Sequence, residues 1–352
     1  MARQLMKGNE AVAEAAVRAG CRFFAGYPIT PQSEVLEYLS KRMGEVGGTF
    51  LQSESELAGI SMIYGAAACG FRAFTSSSGP GYSLMQEGIS YIASAELPCL
   101  LLDVQRYGSG LGDIFIGQSD YWQCVKNGGH GDYRSIVYAP NSVQEIADLA
   151  VLGFEKAEEY RNPVTLLSDA SISQMMEPVE LPEMREHDPD QFDWALKGKG
   201  TGESKRHTSV MYYMSDYDTY IQSKYREIEG KEQRWESFQT EDAELVLVAY
   251  GISSRICAEA VALSRARGRR VGLIRPISLY PFPVKAFEPL PCVKAYLTVE
   301  MSKLAQMAED VALASGMKHP IYTKTGGTAL YDSAEVCGEI EAVLSGEAKE
   351  AF

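Results

Sequence analysis

Cys21-Arg-Phe-Phe-Ala-Gly-Tyr-Pro-Ile-Thr-Pro31 is the stretch on which the fold turns. Residues 21–25 form a short, mostly apolar run, as expected of a buried strand. Thr30 offers the side-chain oxygen that an N-cap requires. Pro31 then falls at the first helical position, where the missing N–H is no loss. Strand, tight loop and helix in that order are the opening of a βαβ unit.

The same order recurs on either side. Asn9 can cap a helix over residues 10–19 that Gly20 ends. Residues 49–52 form a short strand feeding an alanine- and glycine-rich helix over 54–68. There Gly59, Gly65 and the three alanines at 66–68 predict close approach to another backbone. Apolar strands are expected at 72–75, 99–104 and 164–168, with helices at 82–93 and 143–159. Near-continuous apolar strands alternating with helices specify a parallel α/β sheet. A second α/β unit opens at Ala243: a strand over 244–250, a turn at 251–254, a helix over 257–267, a strand over 270–274, a proline-rich crossing over 276–283, a strand over 295–299 and a helix over 305–314. Between the two units the chain is charged, tyrosine-rich and poor in aliphatic runs. It reads as an arm or linker, with a charged helix over 218–238 that either leans on a partner or is solvated. The division expected is therefore 1–177, 178–242 and 243–352.

Composition narrows the function. The 352 residues are 45% hydrophobic, enough for a sizeable core, and carry a net charge of −14. Phosphate backbones need a basic face, so nucleic acid is not an expected partner. No apolar run approaches the ~18 residues that cross a membrane. The N-terminus has no apolar signal core. A cytoplasmic location is expected. The cysteines (21, 69, 99, 124, 257, 292 and 337) are scattered and never form the close pairs of zinc or iron–sulfur sites. They read as buried free thiols, and no metal site is expected on this chain.

Four stretches fall where a strand gives way to a helix or loop: Tyr27-Pro-Ile-Thr-Pro31, Gln52-Ser-Glu54, Ser76-Ser-Ser-Gly-Pro-Gly81 and Asp103-Val-Gln-Arg106. Such junctions line one edge of a parallel sheet, where ligands bind. Glu54 would lie in the first turn of a helix, where the dipole favours a carboxylate. The Ser78-Gly79 loop could present backbone amides to an anion, although it has no P-loop lysine. Arg106 can form a bidentate pair with a carboxylate, or a plain salt bridge. The glycine-rich loop 107–133 has the length of a binding loop. It contains His130, a residue type used as a base but more often structural. These elements make half of a cofactor site. No Gly-Asp-Gly followed by paired asparagines, the usual diphosphate and metal signature, supplies the other half.

Together these motifs resemble the α subunit of the 2-oxoacid:ferredoxin oxidoreductases. Gly128-Gly-His-Gly-Asp-Tyr133, Ala139-Pro-Asn-Ser-Val-Gln-Glu145, Leu273-Ile-Arg-Pro-Ile277 and Val299-Glu-Met301 extend the likeness over almost the whole chain. The glycine-histidine stretch is most similar to the branched-chain (3-methyl-2-oxobutanoate, or 2-oxoisovalerate) type, with the 2-oxoglutarate type next. The resemblance implies a pyrimidine-type thiamine diphosphate domain followed by a transketolase C-terminal-like domain. It implies thiamine diphosphate shared with a β subunit that carries the diphosphate, Mg²⁺ and a [4Fe-4S] cluster. It also implies γ and ferredoxin-like δ subunits, coenzyme A, and ferredoxin as acceptor. Residue by residue, Glu54 matches the glutamate at the pyrimidine ring, where a carboxylate favours the tautomer that takes a proton from the thiazolium. Thr30 matches a substrate-side threonine, and Arg106 a carboxylate-binding arginine. Pro28, Ile29, Ser78 and Gly79 would line the cofactor. Tyr107-Gly-Ser109 departs from the family's run of two glycines and a proline. With Ile114-Phe-Ile116 it favours an apolar or aromatic substrate side chain over a second carboxylate. The alternatives are a 2-oxoglutarate enzyme, the β chain of a lipoamide-linked 2-oxoacid dehydrogenase, or a non-catalytic assembly subunit.

Overall fold

Short buried strands and the helices between them wind, in the computed structural model, into two parallel sheets packed side by side; residues 3–198, 216–288 and 290–352 are described. The first unit contains β1 (Gln4–Lys7), α1 (Gly8–Arg18), β2 (Phe23–Gly26), α2 (Ser33–Glu45), β3 (Thr49–Gln52), α3 (Glu56–Ala68), β4 (Ala73–Ser77), α4 (Pro80–Ser94) and β5 (Cys99–Gln105). It continues with α5 (Tyr121–Val125), β6 (Ile136–Tyr138), α6 (Val143–Tyr160), β7 (Pro163–Asp169), α7 (Ala170–Gln174) and β8 (Met176–Val179). Then follow α8 (Tyr217–Lys231), β9 (Trp235–Phe238), β10 (Leu245–Val248), α9 (Gly251–Ala266), β11 (Val271–Pro276), β12 (Ser278–Tyr280), β13 (Ala295–Glu300), α10 (Ala308–Ala314), β14 (Ile321–Thr325) and α11 (Ser333–Ser345).

The larger sheet has the order β12-β6-β7-β5-β4-β2-β3, parallel except for β12. The second has the order β14-β13-β10-β11-β9, parallel except for β9. From β2 the chain goes first to β3 on one side and then to β4 on the other. That reversal is where doubly wound sheets bind their ligands. Here β2 and β4 pair only at Phe23–Ala73 and Phe24–Phe74, so their far ends are not zipped together. Phe24 fixes the centre of the sheet: it is fully buried and lies 5.6 Å from the Phe50 ring and 5.5 Å from that of Phe74.

Several expected boundaries shift, each for a local reason. Asn9 does not cap α1. Its side chain is buried and donates to the Pro31 carbonyl (2.9 Å) and Glu34 (2.9 Å), steadying the loop after β2. Thr30 does not cap α2 either; the helix begins at Ser33 behind Gln32. Gly251-Ile-Ser-Ser254, expected as a turn, is the first turn of α9. The proline-rich crossing contains β12, which joins the larger sheet, while β9 of the charged segment joins the smaller one. Each unit thus lends a strand to the other. The arm neither floats free nor stops at a helix. α8 ends at Lys231 and β9 takes over. Residues 199–215 of the arm lie outside the described residues. Of the cysteines, five are buried, Cys292 is partly exposed and Cys69 is exposed, so the all-buried expectation fails at Cys69. Among the described residues no helix is long and apolar enough to cross a membrane.

Candidate active site

The ends of β5, β4, β2 and β3 stand side by side, and the loops leaving them are tied to one another by side chains. Gln32 reaches back to the Tyr27 carbonyl (3.1 Å) and accepts the Ser76 hydroxyl (2.6 Å). Arg106 donates through Nη1 to the Thr30 carbonyl (3.1 Å) and through Nη2 to the Leu111 carbonyl. The motifs read separately from the sequence are therefore one hydrogen-bonded edge.

At the start of α3, Ser55 is the N-cap, accepting the Ala58 N–H at 3.2 Å. Glu56 is consequently the first helical residue and Glu54 precedes the helix. Glu54 is exposed; Glu56 is buried. The Glu56 carboxylate lies against Gly81 at the start of α4, where an added Cβ would strike Glu56 Oε1 and Ser77 Oγ. Among the described residues no hydrogen bond to the Glu56 side chain is formed. Gly59 brings α3 close to the β2 backbone, with its Cβ position 3.7 Å from the Ala25 carbonyl oxygen. Gly65, expected to do the same, faces open space.

Buried polar atoms without a partner collect on this edge, among them Ser53 Oγ, Ser77 Oγ, Ser78 Oγ and Arg106 Nε. Each such atom costs about 1–3 kcal/mol unless something binds it. Beneath them lie two buried carboxyls, Asp103 and Asp120. Asp120 Oδ2 accepts the Arg106 backbone N–H (3.2 Å) and Oδ1 accepts Gln123 (2.6 Å). Burial pushes the Asp120 carboxyl up to about 6 and holds that of Asp103 well above the usual range, the neighbouring acid adding to the effect on Asp103. Pro28 and Thr30 are exposed, Ile29 is half-buried, and Ser78 and Gly79 are buried. His130 is exposed and outside the cluster. Sequence reading singled out Glu54 and gave no role to Glu56, Gln32 or Asp120, which the fold brings to this edge. Only Glu56 had a local signal, because Ser55 three residues before Ala58 is the better cap.

The return limb of the glycine-rich loop is bolted to the second unit. Gln118, fully buried, donates to the Tyr250 carbonyl (3.1 Å) and accepts the Met301 N–H (2.9 Å) and Ser253 hydroxyl (3.1 Å). Tyr121 donates to Asp310 (2.7 Å), and the Trp122 N–H to Gln306 (2.9 Å). The outer limb leaves Leu111, Ile114 and Phe115 exposed.

A split β2–β4 edge with unpartnered polar groups is the ligand face of a cofactor-dependent α/β enzyme. Residues 14–239 match the thiamine diphosphate-binding family of pyruvate flavodoxin/ferredoxin oxidoreductases, and residues 243–331 match pyruvate:ferredoxin oxidoreductase core domain II. The chain belongs to this family. It is 49% identical to ketoisovalerate oxidoreductase subunit VorB of Methanothermobacter marburgensis, over 94% of this chain and 95% of that protein. The 2-oxoglutarate:ferredoxin oxidoreductase of Magnetococcus marinus, solved with 2-oxoglutarate, coenzyme A and succinyl-CoA bound, superposes with a TM-score of 0.86 at 25% identity. That match covers 96% of this chain and 65% of the solved one. A split-gene transketolase, an inactive β4 tetramer, shares the fold at a TM-score of 0.61 and 15% identity, over 97% and 98% of the two chains.

Proposed function

We propose that the chain is the α subunit of a 2-oxoacid:ferredoxin oxidoreductase acting on a branched-chain 2-oxoacid. The overall reaction joins the acyl group to coenzyme A, releases CO₂ and passes two electrons to ferredoxin. The observation that carries this reading is the set of unpartnered buried groups on the strand-end edge, Ser53, Ser77, Ser78 and Arg106 Nε, with the buried Glu56 carboxylate beside Ser77 at Gly81.

These residues fit the pyrimidine half of thiamine diphosphate. That cofactor supplies the carbanion-stabilising centre on which 2-oxoacid decarboxylation depends. Glu54 and Glu56 are the two carboxylates of this edge, and in this reading the buried Glu56 holds a ring nitrogen proton from within the chain. Ser77 and Ser78 hydroxyls offer donors or acceptors at the floor, with Pro28 and Ile29 as an apolar lip and the Gly79 loop as the close backbone. Arg106, buried and without an acid partner among the described residues, would pair with a substrate carboxylate, with the Thr30 hydroxyl beside it, since Arg106 engages only the Thr30 carbonyl. Tyr107, Leu111, Ile114 and Phe115 make the nearby loop apolar. That suits an aliphatic side chain better than the second carboxylate of 2-oxoglutarate.

The β subunit bearing the diphosphate, Mg²⁺ and [4Fe-4S] sites is assigned to the outer face of α3 and α4. There Leu57, Met62, Leu84 and Tyr91 are exposed although both helices are apolar. The γ and δ subunits and ferredoxin complete the path.

Paired substitutions test the site. In the reconstituted complex Glu56→Gln is expected to lower turnover about 100-fold or more, the scale of a lost proton-transfer group, with assembly intact by size-exclusion chromatography. Glu54→Gln is expected to change it less than about threefold, well below one lost hydrogen bond. Loss at Glu54 with full activity at Glu56 would return the role to Glu54. Full activity in both would remove the carboxylate from the reaction. An oxoacid panel with a low-potential dye identifies the substrate.

A further inference from the structure

We infer that Asp120 is a positioning residue for Arg106, fixing its main chain and the Gly79 loop as one unit so that the guanidinium is held without an acid partner of its own, for the substrate carboxylate to pair with. The inference rests on Arg106 as the group that receives the 2-oxoacid carboxylate. Arg106 is 5% exposed, yet among the described residues its side chain makes no ion pair. Its two Nη atoms donate to neutral carbonyls, those of Thr30 and Leu111, and Nε has no partner. A carboxylate lies close by, but it takes the Arg106 backbone N–H, at 3.2 Å, not the guanidinium. Had Asp120 bridged the guanidinium, it would compete with an incoming carboxylate. Held at one remove, it offsets the buried charge and leaves the guanidinium without an acid partner.

The same carboxylate organises the opposing loop. Its Oδ1 accepts Gln123 Nε2 (2.6 Å), which also donates to the Gly79 carbonyl (3.1 Å). Gln123 is itself fixed by the Ser83 hydroxyl (2.6 Å). The Gly79 N–H is directed at the acid pair. Gly79 adopts φ +49°, and its Cβ position is 3.0 Å from Arg106 Nε, so this loop closes directly over the guanidinium. Asp103 differs from Asp120. Its Oδ1 has no partner and its Oδ2 accepts the weak Cys124 thiol (3.3 Å). These contacts thus give Asp120 the acceptor role toward Arg106 and Gln123, a role Asp103 does not share.

The test compares KM for 3-methyl-2-oxobutanoate with KM for coenzyme A in the assembled complex, alongside its melting temperature. Arg106→Ala is expected to raise the oxoacid KM more than tenfold and leave coenzyme A within about twofold. Asp120→Asn puts an NH₂ where donors converge and is expected to raise the oxoacid KM about tenfold, the loss of one charge-assisted hydrogen bond. Asp103→Asn, isosteric with a protonated acid, is expected to shift it by several-fold less. The double variant Asp120→Asn/Arg106→Ala should be no worse than Arg106→Ala alone. Calorimetric binding of isobutyrylphosphonate should follow the same order. Equal effects of Arg106→Ala on both substrates would remove the carboxylate role from Arg106, and the positioning role with it. A selective Arg106→Ala beside an unselective Asp120→Asn would overturn the positioning role alone. If Asp120→Asn does not assemble, Gln123→Leu severs the same link, and a selective but smaller KM rise is expected; an even effect would overturn the proposal.

Discussion

Gly81 has no room for a methyl group, and its neighbours are two groups of the proposed site. A Cβ there would strike Ser77 Oγ and Glu56 Oε1. Gly81→Ala is therefore expected to displace the Glu56 carboxylate and to cost about 1–3 kcal/mol by overpacking, with a fall in turnover larger than the stability loss alone explains. Gly230 in α8 is the matched comparison, since a Cβ there meets nothing within 4 Å. Gly230→Ala should stabilise the protein by about 0.5–1 kcal/mol. Denaturant melts of both variants check the pair. Equal stabilities would mean that the loop after β4 is slack enough to accept a side chain.

Among the elements, α8 is the one whose role composition conceals. Its sequence, Tyr-Asp-Thr-Tyr-Ile-Gln-Ser-Lys-Tyr-Arg-Glu-Ile-Glu-Gly-Lys, looks solvated, but the helix straps its own unit. Ile228 is fully buried and Lys224 nearly so. Lys224 Nζ donates to the Arg161 carbonyl (3.0 Å) and lies 3.4 Å from Glu96, while Tyr220 donates to the same carboxylate. Tyr225 adds a bond to Asn162 (3.3 Å). Burial draws the Lys224 ammonium down to about 8, so it stays largely charged near neutrality through its partner. Lys224→Ala is expected to leave the buried Glu96 short of a cation and to cost about 3 kcal/mol, read as a lower midpoint in urea. A loss below about 1 kcal/mol would mark the pair as no stronger than a surface bridge.

At the scale of the molecule, the two sheets meet through buried polar groups, and these give the interface a pH dependence. Glu300 ends β13 and its carboxylate accepts the Met307 N–H (3.1 Å). Burial, with Asp310 nearby, still pushes it up to about 8. Asp169 accepts the Ile252 N–H (2.7 Å) across the interface and is pushed up to about 6, again by burial. Both acids hold a proton in the folded state over a range where the unfolded chain has lost it. Stability from this source is thus lost as pH rises, and of these two acids Glu300 is the one that contributes between about pH 6 and 8. The slope expected from one such group is at most about −1.4 kcal/mol per pH unit. Glu300→Gln should flatten the melting temperature over pH 6.5–8. An unchanged slope would locate the titration elsewhere.

The order of strands and helices in both units, and the strand-end loops that form the site, could be read from apolar runs and turn residues, because those signals act within a few positions. Arg106 and the glycine loop were legible for the same reason. Which glutamate enters the core was not: Glu54 and Glu56 are equivalent in charge, and the choice depends on where the Ser55 cap starts α3 and on the space Gly81 leaves. Gln32, Asn9 and Asp120 gave no local sign, since each acts on a chain segment distant in sequence. The strand exchange through β9 and β12 was equally hidden, each strand being only three or four residues long. The sequence alone determined an α/β chain with ligand loops on one edge, since periodicity and turn chemistry are local. Only the tertiary structure decided which side chains face that edge and which are left without a partner, because burial and hydrogen bonding depend on what the fold brings together.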